Sequence, residues 1–280
     1  MKHTKFLVCI GVSAMSLFTS CMSDEHDFDL NPASQGEANT GQLVLSLSAD
    51  TRFADQTTRA LSEDNYRNTN NYTVQLLKAE EVLLECKGSE IAEKLPKELN
   101  PGDYVVKAFY GQEENYSRDR FYVEGSKEFN IAKGATSTVS VTCQPTCGKL
   151  SVVFDNEMAT YYDNYNVQYS GAAAFSGNTI AWLKNDTEPY YVKLNANGET
   201  LTYTVNLTVK EEYAHSDAEG KKQTSGTVTG TFTLKRNQAH RLTVKPNYIP
   251  TADGGLSLTI VIDDSVNEIS KTIEVPVEWI

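Results

Sequence analysis

The sequence predicts an all-β fold, with two antiparallel β-sandwiches in tandem behind a signal segment and a tether. Three observations predict it. Short apolar alternations of period two recur along the chain, turn residues separate them at close spacing, and no long amphipathic helical stripe interrupts them. Composition agrees, because 15 tyrosines against 2 tryptophans, with abundant threonine and valine, favour strands. At 280 residues the chain has room for two ordinary domains, each with its own core.

Residues 1–20 read as a lipoprotein signal peptide. Lys2 and Lys5 supply a basic start, and the apolar run Phe6 to Phe18 is well short of the ~20 residues of a bilayer span. Leu17, Thr19 and Ser20 then lead into Cys21 with lipobox spacing, so Cys21 is the expected lipid-attachment site. Ser23, Asp24 and Glu25 resemble the acidic surface-export tag that follows the acylated cysteine in Bacteroidota lipoproteins. The expected location is therefore the outer membrane, lipid-anchored and facing out. Residues 21–40 are polar and read as a tether.

From Cys21 onward the chain carries 23 basic residues against 37 acidic ones, a net charge of −14. Such a surface repels phosphate backbones and anionic headgroups, which argues against nucleic acid as a partner and leaves the anchoring to the lipid.

Residues 41–145 are expected to form the first sandwich. Leu43, Leu45 and Leu47 share one face of an opening strand, and a polar gap holding Arg52 and Arg59 follows. Tyr72 to Leu77 and Val82 to Cys86 read as a hairpin, Ser89 to Lys94 as one helical turn, and Pro101-Gly102 as a turn before the alternation of Tyr104, Val106, Ala108 and Tyr110. Phe121 to Val123, Phe129 to Ile131 and Thr136 to Thr142 complete it.

Residues 146–280 are expected to form a second, more strand-rich sandwich. Leu150, Val152 and Phe154 open it, and further runs follow at Tyr165 to Tyr169, Thr179 to Leu183, Tyr190 to Leu194, Leu201 to Val209 and Thr227 to Leu234. His240 to Val244, Leu256 to Ile262 and Thr272 to Ile280 close the chain. Asn197-Gly198 marks a hairpin turn.

The series PGDYVVKAFYG, FYVEGSKEFNI, VSVTCQPTCGKLSVVFD and the ending IEVPVEWI resembles an uncharacterised family of Bacteroidota outer-membrane lipoproteins, related in layout to fimbrillin-like adhesins. The resemblance implies two transthyretin-like sandwiches and a role in surface adhesion or pilus assembly, as an anchor, accessory or tip subunit. It also implies a processing step, in which the precursor is cut after an arginine in an early loop and loses its first strand. Here Arg59 in TTRA stands at the candidate cut, and Arg52 is the weaker one, being close to the strand. A neighbouring subunit's strand would fill the gap, and Ile273, Val275, Val277 and Trp279 alternate as a donor strand requires.

The alternative is a monomeric glycan-binding lipoprotein. Tyr161, Tyr162, Tyr190 and Tyr191 are its candidate contacts, since tyrosine joins an apolar ring face to a polar tip. No catalytic residue, metal or cofactor is expected. The body holds only His215 and His240, with no HExxH, GxSxG or Walker pattern, and Asp263 and Asp264 are strand neighbours that point to opposite faces. Cys143 and Cys147 flank QPT and either close a tight loop or pack as small hydrophobes. Ser265 in the Asp-Ser-Val triplet is a candidate O-glycosylation acceptor.

Overall fold

A computed structural model describes residues 39–51, 63–216, 220–248 and 256–264. Cys21, the export tag, Arg59, Ser265 and the ending from Thr272 lie outside the described residues.

The chain is predominantly β. In the first half run β1 (Gly41–Ala49), β2 (Thr73–Lys78), β3 (Glu81–Lys87), β4 (Glu98–Leu99), β5 (Gly102–Gly111), β6 (Tyr116–Ser117), β7 (Tyr122–Ile131) and β8 (Thr136–Pro145). The second half holds β9 (Cys147–Phe154), β10 (Tyr162–Ser170), β11 (Ile180–Leu183), β12 (Tyr190–Lys193), β13 (Glu199–Val209), β14 (His215–Ser216), β15 (Lys222–Gln223), β16 (Ser225–Leu234), β17 (Ala239–Tyr248) and β18 (Leu256–Asp264). Among the described residues helix is confined to single turns such as α1 (Asp64–Arg67), α2 (Ile91–Lys94) and α3 (Met158–Tyr161).

Seven strands of the first half join in one sheet, ordered β3-β2-β5-β7-β8-β1-β4. The sheet curls. Register between β7 and β8 is confined to Val123↔Pro145 and Glu124↔Gln144, after which β7 follows β5 and β8 follows β1. Leu43, Val139 and Val141 from one limb therefore share a core with Val74, Leu76, Val106 and Ile131 from the other. The β2–β3 hairpin closes through Ala79 and Glu80, whose φ values of 47° and 68° supply the left-handed pair that a two-residue hairpin needs.

At the bend the backbones of β7 and β8 touch. A Cβ on Gly125 would lie 2.6 Å from the Thr142 carbonyl oxygen and 3.0 Å from the Cys143 Cα, both backbone atoms. Gly125→Ala is expected to lower the unfolding free energy by about 1–3 kcal/mol, the usual cost of overpacking, as read from urea denaturation; an unchanged midpoint would mean that the bend can open freely.

The second half is two-layered. A four-stranded sheet, β11-β10-β13-β16, and a five-stranded one, β18-β17-β9-β12-β6, bury Tyr165, Val167, Tyr203 and Val205 against Leu150, Val152, Leu242 and Val244. The halves share material. β6, from the first half of the sequence, is the edge of the five-stranded sheet, and Cys147, Tyr191 and Ala239 from the second half pack into the first core.

Candidate functional site

The opening strand is the first part of the site. Alternating leucines make β1 a strand, and it pairs in parallel with β8 over eight residues, from Gln42↔Thr136 to Ala49↔Cys143. Its other edge is held only at the start, by Gly41↔Leu99 and Gln42↔Glu98 of β4 and by the Leu43 amide donating to the Lys97 carbonyl at 2.8 Å. Among the described residues no strand pairs with that edge from Val44 onward. Leu43 is 5% exposed, while Leu45 and Leu47 are half-buried against the same core. A groove of about 390 Å³ runs beside them, lined by Leu43, Leu45, Ile91, Ala92 and Leu95. Parallel pairing is slightly weaker per residue than antiparallel. Among the described residues β1 is thus paired along its length on one edge only, and its departure would leave eight residues of β8 without that partner beside an apolar groove.

The chain from Glu63 onward is held differently. Glu63 and Lys149 form an ion pair of 2.7 Å with side chains only 5% and 1% exposed. The Tyr191 hydroxyl donates to the same Glu63 Oε1 at 2.5 Å. Burial first, then the bond to Glu63, raises the Tyr191 phenol above its ordinary range. Around this triad Tyr66 stacks on Phe121 at 3.7 Å, Phe121 lies 4.8 Å from Tyr191, and the Tyr72 hydroxyl donates to the Tyr66 carbonyl at 2.6 Å. Alternation did not reveal this clamp, because Lys149 is out of phase with Leu150 and Val152 and reads as solvent-facing. β9 lies between β17 and β12 with both faces covered, so Lys149 points into the first core's surroundings rather than to water.

The four candidate tyrosines divide. Tyr162 and Tyr191 are 0% and 2% exposed, which removes them from the surface. For Tyr162 the reason is a register shift between Tyr162 and Asn164, a bulge that turns Tyr162 to the same buried side as Tyr165, Val167 and Tyr169. For Tyr191 it is that β12 is covered on both sides, so that Tyr191 and Val192 are both buried. Tyr161 and Tyr190 are half-buried. Tyr161 meets Tyr213 edge-on at 5.1 Å, and the Tyr190 ring face is occupied by the Arg118 guanidinium at 4.1 Å. That guanidinium is also gripped by Asp186 at 2.6 and 2.8 Å.

Cys86, Cys143 and Cys147 are free and buried. Burial pushes the Cys143 thiol up to about 12, and it pushes Cys147 up as well. The thiolate is the form that attacks a disulfide reagent, so at pH 8 both should resist labelling by dithiobisnitrobenzoate until the chain is unfolded. Prompt labelling of the folded chain would contradict this packing. Among the described residues no group of three or more His, Cys, Asp or Glu is arranged to hold a metal ion.

A family model described as a domain of unknown function (DUF4493) matches residues 39–277. The chain belongs to this DUF4493 family. A search of curated proteins found no match to it. Among solved structures, the family member is similar to a candidate adhesin from Bacteroides ovatus, at 10% identity and a TM-score of 0.42, over 84% of this chain and 95% of that one. It is similar to a fimbrial assembly protein from Parabacteroides distasonis, at 11% identity and a TM-score of 0.39, over 82% and 98%. It is also similar to the fimbrial anchor protein Mfa2 from Porphyromonas gingivalis, at 9% identity and a TM-score of 0.38, over 83% and 99%. With TM-scores below 0.5, these likenesses decide neither fold nor function.

Proposed function

We propose that this chain is a surface-exposed structural or adhesive lipoprotein whose partner is another fibre subunit, joined by β-strand addition at the place β1 occupies. Cys21 carries the lipid of the precursor, Ser23 to Glu25 direct it outward, and cleavage after Arg59 releases β1. The observation that carries the reading is the setting of β1, held along one edge by eight residues of β8 and along the other by two of β4. A vacated β8 edge offers unpaired backbone groups and side-chain pockets to an incoming strand. The Glu63–Lys149–Tyr191 clamp supports the same reading, because it keeps the chain that follows Arg59 docked once β1 has gone.

Locking β1 in place tests this. Val44 and Thr138 are partners in register and both exposed, so Val44→Cys with Thr138→Cys joins β1 to β8 by an oxidisable pair. The oxidised chain should no longer co-isolate with neighbouring subunits from the cell surface, and reductant should restore co-isolation. Equal co-isolation with the pair oxidised would overturn the proposal.

A further inference from the structure

The outer face of β2, β5 and β7 carries a concavity of about 510 Å³ that strand addition leaves unused. Val106 and Ala108 point into the core, so the intervening Lys107 and Phe109 face out. Register sets Gln75 and Ser126 on either side of Lys107, and Glu124 opposite Phe109. The β8–β9 junction, with Gln144, and Arg236 from the turn before β17 form the far wall.

The lining selects the chemistry of a ligand. The Phe109 and Tyr122 rings stand 6.1 Å apart at 36°, and both are half-buried, so part of each ring remains open. Two amides flank them. Gln75 donates one N–H to Glu85 at 2.7 Å and Gln144 one to Asp50 at 3.1 Å. Each amide retains a second N–H and its carbonyl oxygen for another partner. Lys107 and Arg236 stand against Glu124 in the lining, and Glu85 and Asp50 border it, so there is no excess of positive charge for a phosphate. An aromatic floor beside mixed donors and acceptors, in a volume within the ~300–1,000 Å³ of small-molecule sites, suits a sugar ring, whose C–H face stacks and whose hydroxyls bond to amides.

We infer that this concavity binds a neutral oligosaccharide, stacked on Phe109 and Tyr122 and hydrogen-bonded by Gln75 and Gln144. A neutral ligand also avoids repulsion by an acidic chain. The inference concerns the chain that keeps β1, because Asp50, which directly follows β1, holds the Gln144 amide.

The test is calorimetric titration of the chain Met22–Ile280 with cellotriose, xylotriose, mannotriose and maltotriose. At least one should bind with a Kd of about 1 mM or tighter. Phe109→Ala should weaken that ligand about tenfold, as loss of one ring contact implies, and Gln144→Ala should weaken it without changing the melting temperature. Both side chains face outward, and a melting curve for each variant verifies folding. The absence of binding by all four sugars, or unchanged affinity in both folded variants, would overturn the inference.

Discussion

A chain that begins at Ala60 is expected to lose about 3–6 kcal/mol of unfolding free energy and to recover roughly half of it or more when the peptide GQLVLSLSA is supplied. The estimate follows from the leucines. Full burial of one is worth about 1.5–3 kcal/mol, Leu43 is buried, and Leu45 and Leu47 are half-buried. Against a typical total of about 5–15 kcal/mol, the shortened chain is marginal. Peptide at about 100 times its Kd should return roughly 2.7 kcal/mol by mass action, read as a shift of the urea midpoint. A peptide with aspartate in place of Leu43 and Leu45 should return nothing. If the shortened chain were as stable as the full one, or indifferent to the peptide, β1 would not be a replaceable part of the core.

Lys149→Met carries the second large effect. It removes one member of a buried pair and leaves the Glu63 carboxylate in an apolar setting with the Tyr191 hydroxyl. Breaking such a pair from one side costs about 3–5 kcal/mol, whereas replacing both members by hydrophobic residues is often neutral. The double variant Lys149→Met, Glu63→Leu should therefore be considerably more stable than Lys149→Met alone. Urea denaturation of wild type, both single variants and the double variant closes the cycle. A single-variant cost below about 1 kcal/mol, the range of exposed pairs, would show that water reaches the triad.

The legible parts of this fold were the local ones. Period-two alternation located β1, β5, β9, β10 and β13, and within β10 the in-phase Tyr165 and Tyr169 are 4% and 0% exposed. Where local signals mislead, a contact distant in sequence is responsible. Glu124 to Glu128 reads as a polar break, so Phe121 to Val123 and Phe129 to Ile131 read as two strands; they belong to one ten-residue strand, β7, whose Gly125 marks the approach of β8. The parallel partner of β1 lies 94 residues away, and nothing in either segment announces it. Lys149, Tyr162 and Tyr191 were illegible for a related reason. A bulge reverses the phase at Tyr162, and strands covered on both faces have no solvent side for alternation to reveal. The concavity beside Phe109 and Tyr122 was equally hidden, because the curl and the β8–β9 junction that shape it are tertiary features.

The central claim is that β1 leaves and another strand takes its place. It is tested most directly by intact mass and N-terminal analysis of the chain recovered from the surface of the cells that make it. The account predicts a chain that begins at Ala60 and carries no lipid. Recovery of a chain that retains acylated Cys21 and the whole of β1 would contradict it.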